Sequence, residues 1–510
     1  MPLNVLIVNP IFGFSHVKFL STLADITADR GHNVTVLQPF HIAMNNLNGL
    51  IKNKSVKIIN YYPDNFSELE KTEEQTFKMA WDSRMVSNPV LGAFLSSMVT
   101  NQFKSTVTKM LKDSKLHDEL KESCFDVVLV ETFEISGFYL AEILQVPAIA
   151  VLSAVRYPVF EDVFGQQSTL GFVPQKDSSL APNAGFLDRL NDVYQTFFLS
   201  IGQRSLNDAQ YKIICAAMGG KQPKWQDVVR KSPVYIVNSN PFFDFAIAKT
   251  GNIVQIGGIT MIGKEGEERK EPNGLTEEYE KIFNERESTV FISFGSVVRA
   301  YEMPEKFKKG LIKMFEMLPD VTFIFKYEDE VDEEFTSRLP KNVYLKKWVP
   351  QPALLADDRL KVFMTHGGLG STMEVAYSGK PALMVPLFAD QFQNSLMLSR
   401  HGCAIDYNKF DLANGKKLAC SLKEIISNPK YQQNATNLRE VLLNQPINPR
   451  DNFLQHLEFA AKFPNCRSQT PAISQSGPIS YYYLDVMLFL IVTPLSLIGT
   501  FSYLMFRIFH

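Results

Sequence analysis

Twice along this chain short apolar runs alternate with amphipathic helical stretches, and that alternation leaves few folds open. Leu3–Val8 is an apolar run and Asn9–Ser15 a loop. Val17, Leu20, Leu23, Ala24 and Thr27 then recur at helical spacing before Gly31, and Val34–Leu37 is the next strand. Ser15 is placed to cap this helix and Gly31 to end it. Asp126–Val130, a helical stretch Ser136–Leu144 and Val146–Leu152 repeat the pattern. A second series follows the hydrophilic segment Gly263–Asn273. It has strands at Thr289–Phe294, Val321–Tyr327, Asn342–Lys346, Val362–Thr365 and Ala382–Val385, and helices at Pro304–Met317, Ser371–Ser378 and Gln391–His401. Strands apolar on both faces need helices on both sides, which gives an open parallel sheet. The pattern predicts two doubly wound α/β domains facing each other across a cleft, with ligands beyond the strand C-termini. The join falls near Asn240–Ile253, which divides the chain into 1–245 and 246–465.

The C-terminus carries a different signal. Val486–Phe506 runs 21 residues without a charge, which as a helix at ~1.5 Å per residue spans about 32 Å, enough for a bilayer core. Tyr481, Tyr482, Tyr483 and Arg507 suit its two interfaces. The reading is a stalk over 466–484, rich in Ser, Pro and Gln, a single transmembrane helix over 485–507 and a tail of 508–510. The N-terminus goes straight into a strand. Either a leader has been removed or omitted, or the chain enters the membrane by its C-terminal tail. Glycosylation triplets at Asn33, Asn53, Asn65 and Asn434 acquire meaning only in a lumenal or secreted domain.

Composition excludes several classes. With 52 Lys+Arg against 54 Asp+Glu in 510 residues, the chain is no generally basic nucleic-acid binder. Five scattered cysteines make neither a disulfide scaffold nor a zinc site. Between 61 and 120, Phe77, Met79, Trp81, Met85, Phe94, Met98 and Phe103 have the spacing of helical core stripes, and Met and Phe would also suit an adaptable apolar pocket. The acidic run Glu328–Glu334 reads as a solvated turn.

The segment Val362–Gln391 carries the chemistry. A strand ends at Thr365, and His366, Gly367, Gly368 and Gly370 form a loop that opens a helix at Ser371. Glycines let a ligand approach the backbone, and a helix N-terminus offers N–H donors and a positive dipole to an anion. His366 adds a donor for phosphate oxygen. Glu374, one turn into the helix, suits ribose hydroxyls, and Asp390 with Gln391 suits a sugar's vicinal hydroxyls.

This run, with Trp348-Val349-Pro350-Gln351 upstream and Phe294-Gly295-Ser296 after an earlier strand, resembles the signature of UDP-glycosyltransferases, the family that includes UDP-glucuronosyltransferases. The resemblance implies a GT-B fold of two Rossmann-like domains, the C-terminal one for UDP-sugar and the N-terminal one for the acceptor. Trp348 would then stack on uracil, Gln351 would contact the nucleoside, and Ser296 would lie on the phosphate side. It implies no cofactor, since UDP-glucuronate or UDP-glucose is the donor substrate. No Asp-x-Asp triplet occurs to hold a metal against the diphosphate, which predicts metal-independent chemistry. Expected partners are small lipophilic acceptors and a membrane, that of the endoplasmic reticulum with lumenal catalytic domains. The oligomeric state is open, a homo-oligomer included.

His16 sits at the first turn of the first helix, where the positive helix end favours a neutral imidazole. The resemblance places the general base here, giving inverting transfer. The family's orienting carboxylate is an Asp just after the strand Asp126–Val130, and this chain has Glu131 there, with Glu134 as a substitute. The alternative to a transferase is a UDP-sugar-binding membrane protein of the same fold without turnover. A nicotinamide-dependent dehydrogenase is disfavoured because Gly-x-Gly-x-x-Gly is absent after the first strand.

Overall fold

The computed structural model describes residues 1–44, 47–64, 66, 80–81, 89–166, 173, 184–263, 274–295, 298–328, 332–472, 476, 478–481 and 483–509. Phe77, Met79, Met85, Asn65, Ser296 and Tyr482, named above, lie outside the described residues.

Among the described residues, thirteen strands form two parallel sheets. The first contains β1 (Asn4–Val8), β2 (Asn33–Pro39), β3 (Lys57–Tyr61), β4 (Val127–Glu131), β5 (Ala148–Leu152), β6 (Tyr235–Val237) and β7 (Ile253–Gln255), in the order β3-β2-β1-β4-β5-β6-β7. The second contains β8 (Ser288–Ser293), β9 (Val321–Lys326), β10 (Val343–Lys346), β11 (Leu360–Thr365), β12 (Ala382–Met384) and β13 (Ala404–Asp406), in the order β10-β9-β8-β11-β12-β13. Central strands are buried end to end: Val127–Glu131 and Val321–Lys326 show no exposed residue. Each sheet carries an apolar layer on both faces, as its uninterrupted apolar runs require.

The helix after β1 spans Phe14–Asp29. Its N-cap is Gly13, extended at φ −163°, and Val17 N–H bonds to Gly13 O at 3.1 Å. Ser15 therefore lies inside the first turn and does not cap it, contrary to the sequence reading. Gly31, at φ +95°, turns the chain out of the helix as expected.

The two halves interlock. β7 lies beyond residue 245 yet completes the first sheet. The helix Pro449–Lys462 returns to that sheet, placing Phe453, Leu454 and Leu457 against Val5, Ile7 and Leu20. In the other direction Trp81 leaves the first half and is buried in the core of the second, against Phe294 and Phe307, with its indole N–H on Arg299 O at 3.0 Å. Beyond the second domain, Leu484–Phe509 is a 26-residue helix whose most apolar 18-residue stretch has a mean hydropathy of 2.0, with no buried side chain, long and apolar enough to cross a membrane.

Candidate active site

Each sheet reverses its strand order once, between β1 and β4 in the first and between β8 and β11 in the second. Helices leave such a point toward opposite faces, and a crevice opens beyond the strand ends. His16 follows β1, Glu131 ends β4, Gly295 follows β8 and His366 follows β11.

On the first sheet, His16 stands with its ring between Phe12, 4.6 Å away, and Phe133, edge-on at 5.0 Å. Its Nδ1 lies 3.7 Å from Glu131 Oε2. That is ion-pair range, too long for a hydrogen bond. Glu131 is fully buried; its Oε1 accepts from Phe133 N–H at 3.4 Å, and Oε2 has no hydrogen-bond partner. Directly against His16 Nδ1 is the hydroxyl of Ser153, one residue beyond β5. Glu134 is not a substitute for Glu131. It accepts from Ser136 N–H and Oγ–H, each at 2.8 Å, and its nearer histidine is His41, at 4.0 Å. Burial pushes the Glu134 carboxyl up to about 7 and the His41 imidazole down to about 3, so both groups of this buried pair are shifted toward their neutral forms.

On the second sheet, His366 is enclosed by two glycine turns. A Cβ on Gly295, at φ +93°, would come within 2.6 Å of its ring, and one on Gly368 within 2.7 Å. Burial, and then the nearby Lys326 ammonium, lower the His366 imidazole to about 4, so it works as a neutral hydrogen-bonding group. The helix opens at Leu369 with Gly368 as N-cap, so Ser371 is its third residue and not its first. Gly370 meets no atom within 4 Å of a Cβ position, leaving the helix mouth open. Gln351 donates to Glu374 Oε2 at 2.6 Å and to Ser371 Oγ at 3.2 Å. Trp348 is 60% exposed, with Lys326 Nζ 5.5 Å from its ring centroid.

Asp390 accepts from Asn394 Nδ2 at 3.0 Å, and its backbone follows Ala389, held in the left-handed region at φ +54°. Desolvation between the domains raises its carboxyl, opposed by the Asn394 bond and then by the charge of His16. Gln391 is half committed: its Oε1 accepts from Leu387 N–H at 2.9 Å and Phe388 N–H at 3.1 Å, which leaves its amide NH₂ for a ligand.

The two sets meet across the cleft. Lys18, two residues past His16, donates to Glu374 Oε1 at 3.0 Å. Lys18, Ser153, Lys326 and Asn394 escaped the sequence reading because no motif contains them. Ser153 alone had a positional signal, a hydroxyl at the end of a strand adjoining β4.

Comparison with known proteins agrees with this arrangement. A family profile described as "UDP-glucoronosyl and UDP-glucosyl transferase" matches residues 4–509. The chain is 25% identical to UDP-glucuronosyltransferase 2B13 of Oryctolagus cuniculus, over 94% of this chain and 88% of that protein. It is 25% identical to UDP-glycosyltransferase UGT5 of Dactylopius coccus, over 97% of this chain and 90% of that protein. The fold superposes on Phytolacca americana UGT2, solved with UDP-2fluoro-glucose and pterostilbene, with a TM-score of 0.58 at 15% identity over 91% of this chain and 100% of that one. The profile spans both crevices and the apolar C-terminal helix, and the chain belongs to this family: it is a UDP-glycosyltransferase of GT-B fold.

Proposed function

We propose that the protein transfers a hexosyl group, glucuronosyl in preference to glucosyl, from a UDP-sugar to the hydroxyl of a small lipophilic acceptor, with inversion and without a metal. The observation that carries this reading is the contact across the cleft. The helix turn bearing His16 reaches Glu374 through Lys18. His16 thus faces the cradle built from His366, Gly368, Gly370, Ser371, Glu374 and Asp390.

In this reading His16 Nε2 accepts the acceptor's hydroxyl proton as the oxygen attacks the anomeric carbon. The bond from that carbon to the diphosphate breaks on the opposite side, and UDP leaves with the electron pair. Glu131 stabilises the imidazolium as it forms. His366 and the N–H groups at the helix mouth stabilise the charge on the leaving diphosphate. Trp348 stacks on uracil, Gln351 and Glu374 hold the nucleoside, and Asp390 with the Gln391 amide holds the sugar. Phe12 and Phe133 against His16, with Phe103 packed on Phe12, favour a lipophilic acceptor. The rabbit relative, a glucuronosyltransferase by name, favours glucuronate. The absence of an Asp-x-Asp triplet favours metal independence. The same reading anchors the enzyme by Leu484–Phe509 in the endoplasmic reticulum membrane, with lumenal catalytic domains acting in detoxifying conjugation of membrane-dissolved compounds.

The test is UDP release by the full chain in detergent, with UDP-glucuronate or UDP-glucose and a panel of phenols and steroids, with and without EDTA. The expected result is EDTA-insensitive release, fastest with UDP-glucuronate, and a product of anomeric configuration opposite to the donor's. Retained configuration, or loss of activity in EDTA, overturns it.

A further inference from the structure

His16 cannot serve as a base through Nε2 unless its other nitrogen carries the proton and is held. A carboxylate hydrogen-bonded to Nδ1 is the usual means. Here Glu131 Oε2 stops at 3.7 Å and makes no hydrogen bond at all. The group that does meet Nδ1 is the Ser153 hydroxyl. Ser153 is itself buried, and its backbone is pinned from the next strand. Asn238, one residue past β6, donates its N–H to Leu152 O and its side-chain amide to Ser153 O, each at 3.0 Å. β5 lies between β4 and β6, so Ser153 emerges at the sheet end where Glu131 ends β4 and beside the first turn of the helix that carries His16.

We propose that Ser153 is the positioning residue for His16. Its oxygen accepts the Nδ1 proton, which fixes the tautomer with Nε2 free toward the acceptor and sets the ring plane. The Asn238 clamp keeps the hydroxyl in place. Glu131 then acts at a distance on the imidazolium, and the two tasks usually combined in one carboxylate are divided between a hydroxyl and a carboxylate. No covalent step is involved; the serine proton stays on its oxygen. The inference rests on His16 being the base.

The experiment compares wild type, Ser153→Ala, Ser153→Thr, Asn238→Ala and His16→Ala in the full chain, measuring kcat, the donor and acceptor KM, and UDP affinity by calorimetry. Ser153→Ala is expected to lower kcat about 10- to 100-fold, by analogy with hydrogen-bond partners that orient metal-bound histidines, with both KM values and UDP affinity within about 2-fold of wild type. Ser153→Thr keeps the oxygen and is expected to recover most of that loss. Asn238→Ala is expected to show a smaller fall in kcat. Ser153→Ala within about 3-fold of wild type in kcat, while His16→Ala is inactive, overturns the proposal and leaves the base assignment standing. Ser153→Thr as impaired as Ser153→Ala also overturns it, because the oxygen is then not what matters. An active His16→Ala overturns the base assignment itself.

Discussion

Replacing Glu131 by Gln removes one charge and little else. Glutamine has the same volume, and its carbonyl can still accept from Phe133 N–H, as Glu131 Oε1 does at 3.4 Å. What disappears is the attraction between the carboxylate and an imidazolium 3.7 Å away, formed when His16 takes the acceptor's proton. At an effective dielectric of about 20, that pair is worth roughly 4 to 5 kcal/mol. His16 is 22% exposed to the cleft, so water screens part of it. Taking about half gives ~2 kcal/mol, or roughly 30-fold in kcat; the unscreened value sets a ceiling near 10³-fold. Glu131→Asp withdraws the carboxylate to about 5 Å, and the same arithmetic costs about 3- to 10-fold. The assay is steady-state UDP release at saturating donor and acceptor, with calorimetric UDP binding as the control for folding. Glu131→Gln within about 3-fold of wild type, or Glu131→Asp faster than wild type, would refute the reasoning. Either result would mean that the charge does not act on His16 at the observed distance.

The buried pair beside the site titrates with a definite sign. Glu134 has its carboxyl raised from 4.5 to about 7 by burial, so its contribution to stability is complete below pH 4.5 and is lost as pH rises through about 7. Glu134→Gln is therefore expected to raise the thermal midpoint at pH 8–9, by the equivalent of roughly 3 kcal/mol, and to leave it unchanged at pH 4; a gain equal at both pH values would contradict this. Lys18, with a side chain 42% exposed, is bonded to Oε1 of Glu374, the carboxylate proposed to hold the nucleoside. Such a pair is worth up to about 1 kcal/mol, so Lys18→Met is expected to tighten UDP binding about 2- to 5-fold by calorimetry, and weaker binding would show that Lys18 is itself a ligand for the donor.

The parts of the fold written locally were legible. Strand runs apolar on both faces announced two parallel sheets, and the glycine-rich run after Thr365 announced a tight turn, whose Gly368 closes on His366. Ser15 misled because helix starts are decided by which carbonyl accepts the first helical N–H, and that is Gly13. The seventh strand of the first sheet could not be assigned from sequence. Ile253–Gln255 is three residues long, and only its pairing with β6 shows to which domain it belongs. Contacts made across long separations left no mark either. Trp81 in the opposite core, Lys18 on Glu374 and Ser153 against His16 join residues 137 to 356 positions apart or cross from one domain to the other. Glu131 could be picked out as the residue at the end of β4, but the extra methylene's effect on its reach toward His16 was a matter of geometry.

The central claim is that a histidine on the first sheet acts on a donor held by the second. The most direct measurement is UDP release by His16→Ala against wild type, in the full chain with one active donor and acceptor pair, alongside UDP binding to both proteins. Loss of release by a factor of about 10³ or more with UDP affinity unchanged is expected, because the proposed mechanism puts His16 on the acceptor and His366, Gln351 and Glu374 on the nucleotide. Release by His16→Ala at a rate near wild type, with binding intact, would contradict it.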